Sequence, residues 1–396
     1  MTANKMKLRE PDRHRLLIVQ PYVPAYRVPF FHEVRRLLAE HGVQIAIAAS
    51  RASGRDAARN DDQTGLGADF VLHQKTLSIG SRSVLYKRLD GVLSSFAPGL
   101  VVVEQAVKNL ESWPLLLRSR GDHTPSVAIW GQGRSYSTQQ NAVVAKLKQH
   151  MTKRADWFFS YPPRGAEYVV ERGFPQAQTT VVWNSTDTAA LQADVEAVTP
   201  TELKAFQDAH GLKPGHTGLF IGGVDKRKGI SFLLESCREL RAVSPDFRLL
   251  IAGSGDMDGV VAREAAGSSA VKFLGRLEGK DKAVAFAASD FLMVPEWIGL
   301  VAVDGLATGK PMVSTRHDSH SPEFEYFVEG ETLLLSRHTP TDFAQAVLEL
   351  IHNPERLTWM SQCARRDSVQ FSVENMANNF VDGVIEWRSH LAVHDA

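Results

Sequence analysis

The chain has 396 residues, 43% of them hydrophobic and 23% charged, and its 45 Lys+Arg balance 45 Asp+Glu. That length admits two domains, each with its own core, and the composition excludes fibrous and disordered classes. The charge is unevenly spread: residues 1–190 hold 25 Lys+Arg against 16 Asp+Glu, while residues 191–396 hold 20 against 29, which points the first half toward something anionic.

His14 to Gln20 is a short apolar run with polar flanks and predicts a buried strand. A loop with three prolines follows, then an amphipathic helix from Phe30 to His41, stopped by Gly42, and a strand from Val43 to Ala49. Strand, loop, helix and strand in that order are the opening of a parallel α/β sheet. The alternation continues with a strand at Phe70–His73, a helix at Ser83–Phe96, a strand at Gly99–Val103 and a helix at Ser112–Ser119. Strands at Ser126–Trp130, Trp157–Ser160 and Thr180–Val182 enclose helices at Asn141–Arg154 and Pro163–Arg172. Asp187 to Asp208 has few strand signals and reads as a helical connector.

A second alternation starts at Thr217–Gly222 and runs through strands at Phe247–Gly253, Val271–Leu274, Phe291–Val294, Met312–Thr315 and Thr332–Leu335. Helices are predicted at Ile230–Val243, Met257–Ala266, Lys280–Ala288 and Thr341–Ile351, and around Pro354–Asp367 and Val373–Leu391. The expected fold is α/β, with two doubly wound parallel-sheet domains facing a cleft. Residues 1–188 form the first and 189–372 the second, with helix 373–391 packing back on the first.

No run approaches the ~18 uncharged apolar residues of a membrane span, and Met1 to Arg15 is polar and basic, unlike a secretion signal. Cys237 and Cys363 sit in helical stretches without metal or redox spacing, so a cytoplasmic, reducing setting is expected. The basic helix residues Lys146, Lys148, His150, Lys153 and Arg154, with Arg82, Lys87 and Arg88, offer a surface for anionic lipid headgroups at the inner face of a membrane. A solvated helix face explains most of that run equally well. Trp113, Trp130, Trp157 and Trp183 lie in or beside apolar elements, where core packing is the expected role.

The chemistry concentrates in the second half. From Phe291–Val294 the chain turns at Pro295, sets Glu296 on the turn and is predicted to continue as a helix through Asp304 to Gly309. A helix start has unpaired N–H groups and partial positive charge, suited to a diphosphate. The two carboxylates, roughly 12 Å apart along such a helix, would accept hydrogen bonds from hydroxyls at the two ends of the same ligand. A nucleotide sugar fits that description. Gly222-Gly223-Val224-Asp225-Lys226-Arg227-Lys228-Gly229 joins a strand to a helix, bringing close backbone approach and cations for a diphosphate. Gly253-Ser254-Gly255 repeats the pattern after the next strand with N–H groups expected to be bare.

These stretches resemble family 4 of the retaining glycosyltransferases, which have the GT-B fold. The resemblance runs from about Leu219 to Leu335 through Gly222 to Gly229, Ile251 to Gly255, Val271 to Gly275 and Glu296 to Val313. In the first half it rests on Tyr26-Arg27-Val28-Pro29-Phe30-Phe31 and Asn184-Ser185-Thr186-Asp187-Thr188. It implies that Glu296 faces the donor sugar, Asp304 the ribose, Lys228 the diphosphate, and the amides of Gly299 and Leu300 the phosphate. Gly223 stands where the family usually has arginine, which leaves Arg227 or Lys226 to supply a cation, and Asp304 replaces the commoner glutamate. Gln132, in Trp130-Gly131-Gln132-Gly133, stands where many relatives have a histidine and cannot titrate.

His317 to Glu323 is similar to a donor-side loop of the family, with Glu323 on the donor. Two histidines three apart, His317 and His320, suggest metal ligation, but no third ligand has suitable spacing and a polar loop is the preferred reading. The expected activity is retaining transfer of a hexose from a UDP- or GDP-linked sugar to a glycan or lipid-linked acceptor, in polysaccharide or glycolipid synthesis, with no cofactor, no metal and no nucleic-acid partner. The alternatives are an epimerase or hydrolase on the same scaffold, or a non-catalytic nucleotide-sugar-binding module.

Overall fold

The computed structural model describes residues 10–54, 56–79, 82–118, 124–136, 141–317 and 320–394. The first nine residues, Ser119 at the expected end of a helix, and Asp318 and Ser319 of the 317–323 loop lie outside that set. The chain forms two compact units, one of Met1–Ser135, Gln139–Asn184 and Val373–Ala396, the other of Tyr136–Thr138 and Ser185–Ser372.

In the first unit the elements are β1 (Asp12–Gln20), α1 (Val28–Glu40), β2 (Gln44–Ser50), α2 (Thr64–Gly67), β3 (Phe70–Leu72), β4 (Gln74–Ile79), β5 (Arg82–Lys87) and α3 (Asp90–Phe96). They continue with β6 (Pro98–Glu104), α4 (Ser112–Leu117), β7 (Ser126–Gly131), α5 (Ala142–Lys153), β8 (Trp157–Ser160), α6 (Pro163–Glu171) and β9 (Thr179–Val181). Seven strands make one parallel sheet in the order β3-β2-β1-β6-β7-β8-β9. Leu16, Ile18, Leu100, Val102 and Ala128 bury one face and Leu17, Val19, Val101, Val103 and Ile129 the other, so these strands read as unbroken apolar runs. The last helix of the chain, spanning Val373–His394, covers the first face: Phe380 stacks on Phe159 at 4.6 Å and meets Trp130 at 5.2 Å and Phe30 at 5.6 Å. Trp130 and Trp157 are core residues.

One predicted helix is wrong at its start. Residues 83–87 form β5, paired antiparallel with β4 from Gln74↔Lys87 to Ile79↔Arg82, and the helix begins only at Asp90. Val84, Leu85 and Tyr86 favour a pleated surface, and long-range bonds hold the strand. Leu85 N–H donates to Lys108 O and Leu110 N–H to Leu85 O, both at 2.8 Å. Lys87 is therefore no surface cation. It is fully buried, with Nζ donating to Glu111 Oε1 at 2.8 Å. Lys148 also leaves the expected basic face: its Nζ donates to Arg134 O at 3.1 Å, and burial pushes its pKa down to about 8 against the opposing pull of Glu104.

The second unit contains α7 (Thr188–Glu196), α8 (Pro200–His210), β10 (Thr217–Ile221), α9 (Ile230–Val243), β11 (Arg248–Ala252), α10 (Asp258–Gly267), β12 (Val271–Gly275), α11 (Gly279–Ala288) and β13 (Phe291–Met293). It closes with α12 (Val301–Ala307), β14 (Met312–Thr315), β15 (Leu333–Ser336), α13 (Pro340–His352) and α14 (Pro354–Ser368), and the helix Val373–His394 of the first unit is α15. Its six parallel strands run in the order β12-β11-β10-β13-β14-β15. The order reverses between β10 and β13, and open sheets of this kind hold ligands beyond the carboxyl ends of the strands at that reversal.

Among the described residues no helix is long and apolar enough to cross a membrane.

Candidate functional site

The loop after β10 and the loop after β13 meet at this switch point. Lys228 ends the short 3₁₀ turn Lys226–Lys228, and Gly229 follows it with φ +70° before α9 starts. Its side chain is buried, and Nζ donates to Trp297 O at 2.5 Å and Ile298 O at 2.7 Å. Burial lowers its pKa to about 8, with Glu323 and Asp225 pulling the other way. Trp297 has φ +42°, rare for a bulky residue, and Gly299 has φ +73°. The Arg227 guanidinium lies 4.6 Å from the Trp297 ring, so this cation rests on the indole.

The segment from Glu296 to Leu300 is thus a loop, and α12 begins at Val301. The helix predicted from Trp297 onward is corrected by those two positive φ angles, which no α-helix contains. Asp304 consequently sits in the first turn of α12, not two turns along it. The Gly299 N–H, expected at a phosphate, donates to Ser321 Oγ at 2.8 Å.

Asp304 is buried and anchored from two sides. Thr186 Oγ1 donates to Oδ1 at 2.9 Å, and Lys282 on α11 donates to Oδ2 at 2.8 Å. Gly222, Gly223, Lys228, Lys282, Leu300 and Asp304 line one cavity of ≈ 320 Å³. A cation pair, a carboxylate and glycine backbone around one hollow can grip a ligand carrying both phosphate and hydroxyls. Glu296 lies against Gly229, where an added Cβ would meet its carboxyl carbon at 3.0 Å.

Gly253 and Gly255 do not present bare amides. Gly253 N–H donates to Gly275 O at 2.7 Å and Gly255 N–H to Asp258 Oδ1 at 2.8 Å. Their glycine requirement is steric: a Cβ on Gly253 would lie 1.7 Å from Gly222 O, and one on Gly255 2.3 Å from Val224 O. They support the loop that carries Gly222 and Gly223. Glu323 is buried on the turn Pro322–Tyr326, close enough to Lys228 to favour its charge. Gln132 lies in the first unit, half-buried just past β7, and its backbone carbonyl accepts from Arg134 N–H at 2.7 Å.

Of the residues that hold these groups, Thr186 and Ser321 fall in stretches that carry the family resemblance, whereas Lys282 has no sequence signal of its own. Lys282 is one of several charges on α11, and only the fold selects it.

Residues 215–353 match the family model described as Glycosyl transferases group 1, and they contain the whole β10 to α13 run with its switch-point loops. Over this segment, about a third of the chain, the sequence is similar to the group 1 glycosyl transferases. The chain is 36% identical over 142 residues to a phosphatidyl-myo-inositol mannosyltransferase of Mycolicibacterium smegmatis, covering 33% of this chain and 36% of that protein. It is 30% identical over 218 residues to a D-inositol 3-phosphate glycosyltransferase of Rhodococcus opacus, covering 51% and 47%. The matches therefore span less than half the length of these relatives. Anabaena Alr3699/HepE, solved in complex with UDP and glucose, shares the fold with a TM-score of 0.66 at 14% identity, covering 93% of this chain and 98% of that one. The expected GT-B class, two parallel α/β sheets in tandem, is the fold of this chain.

Proposed function

We propose that the chain is a retaining hexosyltransferase that takes its sugar from a nucleotide diphosphate. The observation that carries this is the single cavity shared by Lys228, the Gly222-Gly223 backbone and Asp304 at the reversal of the second sheet. In this reading the diphosphate lies against Lys228 and the open Leu300 end of the loop, and Asp304 accepts from the ribose hydroxyls. Glu296 and Glu323 serve the sugar side. Gly222 and Gly223 let the ligand approach the backbone, and Arg227 reaches the phosphates by leaving the Trp297 ring.

The bond from the anomeric carbon to the diphosphate oxygen breaks while the acceptor oxygen bonds to the same face. The acceptor proton passes to the departing diphosphate. Charge building on that leaving oxygen is what Lys228 stabilises, and holding donor and acceptor together supplies the remaining acceleration. No metal or covalent intermediate is invoked. Gln132, in the first unit, is a neutral hydrogen-bonding group that cannot titrate. That unit takes a glycan or lipid-linked acceptor, at the cytoplasmic face of a membrane, in cell-surface polysaccharide or glycolipid synthesis.

Incubation of the purified chain with UDP-, GDP- and dTDP-sugars tests the reading. Acceptor-dependent release of nucleotide, with the anomeric configuration kept in the product, supports it. Thermal stabilisation by a nucleotide sugar without turnover, or an altered free sugar, overturns it.

A further inference from the structure

Beyond the donor cavity, three neighbouring strands of the second sheet bring three metal-ligating side chains together. Glu296 lies three residues past the end of β13, His317 two past β14 and His338 two past β15. These strands are adjacent in the sheet, and parallel neighbours lie about 4.8 Å apart. One ligand atom from each of the three residues lies within 4.8 Å of the others. Histidine rings 317 and 338 are 4.8 Å apart between centroids, and His338 Nε2 is 3.5 Å from Glu296 Oε1.

The hydrogen bonds around His338 decide what that last contact is. Thr315 Oγ1 donates to Pro295 O at 2.8 Å, so its lone pair faces His338 Nδ1 at 3.0 Å. The ring therefore donates through Nδ1 and turns the Nε2 lone pair toward a carboxylate oxygen. The Nε2 lone pair and the carboxylate oxygen then face one shared position, where a metal cation can be bound by both. An imidazole whose far nitrogen is fixed by a neighbour is the usual arrangement of a metal-bound histidine. Phe232 stacks on the same ring at 4.7 Å and 9°, which holds its plane.

We propose that Glu296, His317 and His338 form a binding site for zinc or a similar borderline divalent metal. Two imidazoles and one carboxylate are a three-ligand set that leaves a fourth position for water. The histidine pair that stands out by spacing is not the ligating pair: His320 donates through Nε2 to Thr315 O at 2.8 Å and stacks on Phe324 at 4.3 Å. If Glu296 serves the donor sugar, metal and donor compete for it, and this consequence alone rests on the transferase reading. A metal here then acts as a brake on turnover, not as an agent of it.

The test is calorimetric titration of the chelator-treated full chain with zinc chloride, without nucleotide. The expected result is one saturable site per chain. His317→Ala and His338→Ala each weaken it at least tenfold, Thr315→Val weakens it about tenfold, and His216→Ala leaves it unchanged. Circular dichroism of each variant verifies folding, and the conservative His338→Gln substitutes for any variant that fails it. Absence of saturable binding, or binding indifferent to both histidines, overturns the proposal. Zinc inhibition of nucleotide release that disappears in His338→Ala tests the competition separately.

Discussion

Lys228 carries the Trp297 carbonyl on its ammonium at 2.5 Å and thereby fixes the backbone of a loop 69 residues downstream. The same side chain lines the hollow that Asp304 and Lys282 share, so it both shapes the pocket and adds to its charge. Loss of that charge should be visible in the pH dependence. With its pKa lowered to about 8, Lys228 is charged below that pH and neutral above it. For donor binding, kcat/KM reports the free enzyme, so it should fall as pH rises through about 8, by roughly tenfold per unit at the limit. Lys228→Met should remove this inflection and lower the plateau, and a steady-state pH profile of both proteins checks the sign.

Glu296 and Glu323 separate by role. Glu296→Ala should cost roughly 10²- to 10³-fold in kcat, the scale of a lost transition-state contact. Glu323→Ala should cost only a few-fold, by weakening the partner that keeps Lys228 protonated. Equal losses in the two variants, or none at Glu296, would contradict these assignments.

Asp304→Asn should raise the donor KM about tenfold, the worth of about 1.4 kcal/mol, with a smaller change in kcat. The amide cannot accept from Lys282 and hydroxyls with the same strength. Kinetics with intact donor and with donor lacking a ribose 2′-hydroxyl should show the variant indifferent to that hydroxyl.

Gly223→Arg restores the cation usual at this position in the resembled family. A Cβ there meets only the far end of the Asp225 side chain, at 2.9 Å. A charge-assisted hydrogen bond is worth about 1.5–3 kcal/mol, so donor affinity should rise about tenfold or more. Titration with nucleotide diphosphate measures it directly.

In the first unit, Phe380→Ala should destabilise by about 3–5 kcal/mol, since it empties the centre of an aromatic cluster. Lys87→Ala should cost a similar 3–5 kcal/mol by stranding Glu111, whose side chain is 2% exposed. Denaturant midpoints of the two variants and of the double replacement Lys87→Met with Glu111→Leu, expected to recover part of the loss, check both.

Much of this architecture can be read from apolar runs. The strands Trp157–Ser160 and Met312–Thr315 and the helix Ile230–Val243 have the bounds their periodicity predicts, because both faces of each sheet are buried. The β4–β5 pair is hidden because its bonds to Lys108 and Glu111 are long-range. The late start of α12 is hidden because it depends on Lys228 pulling two carbonyls out of helical geometry. Gly253 and Gly255 look alike in sequence to phosphate-binding glycines, but what they accommodate is the neighbouring loop. The Glu296, His317, His338 cluster has no motif, since strand adjacency and not chain spacing brings its members together.

Gly253 also divides this region for anyone wishing to re-engineer its donor preference. With a carbonyl oxygen 1.7 Å from where a side chain would begin, position 253 is closed to all nineteen alternatives. Any side chain there forces the Gly222 backbone to move. Gly223, exposed and without a positive φ, is where diversity can be written in without disturbing the scaffold beneath.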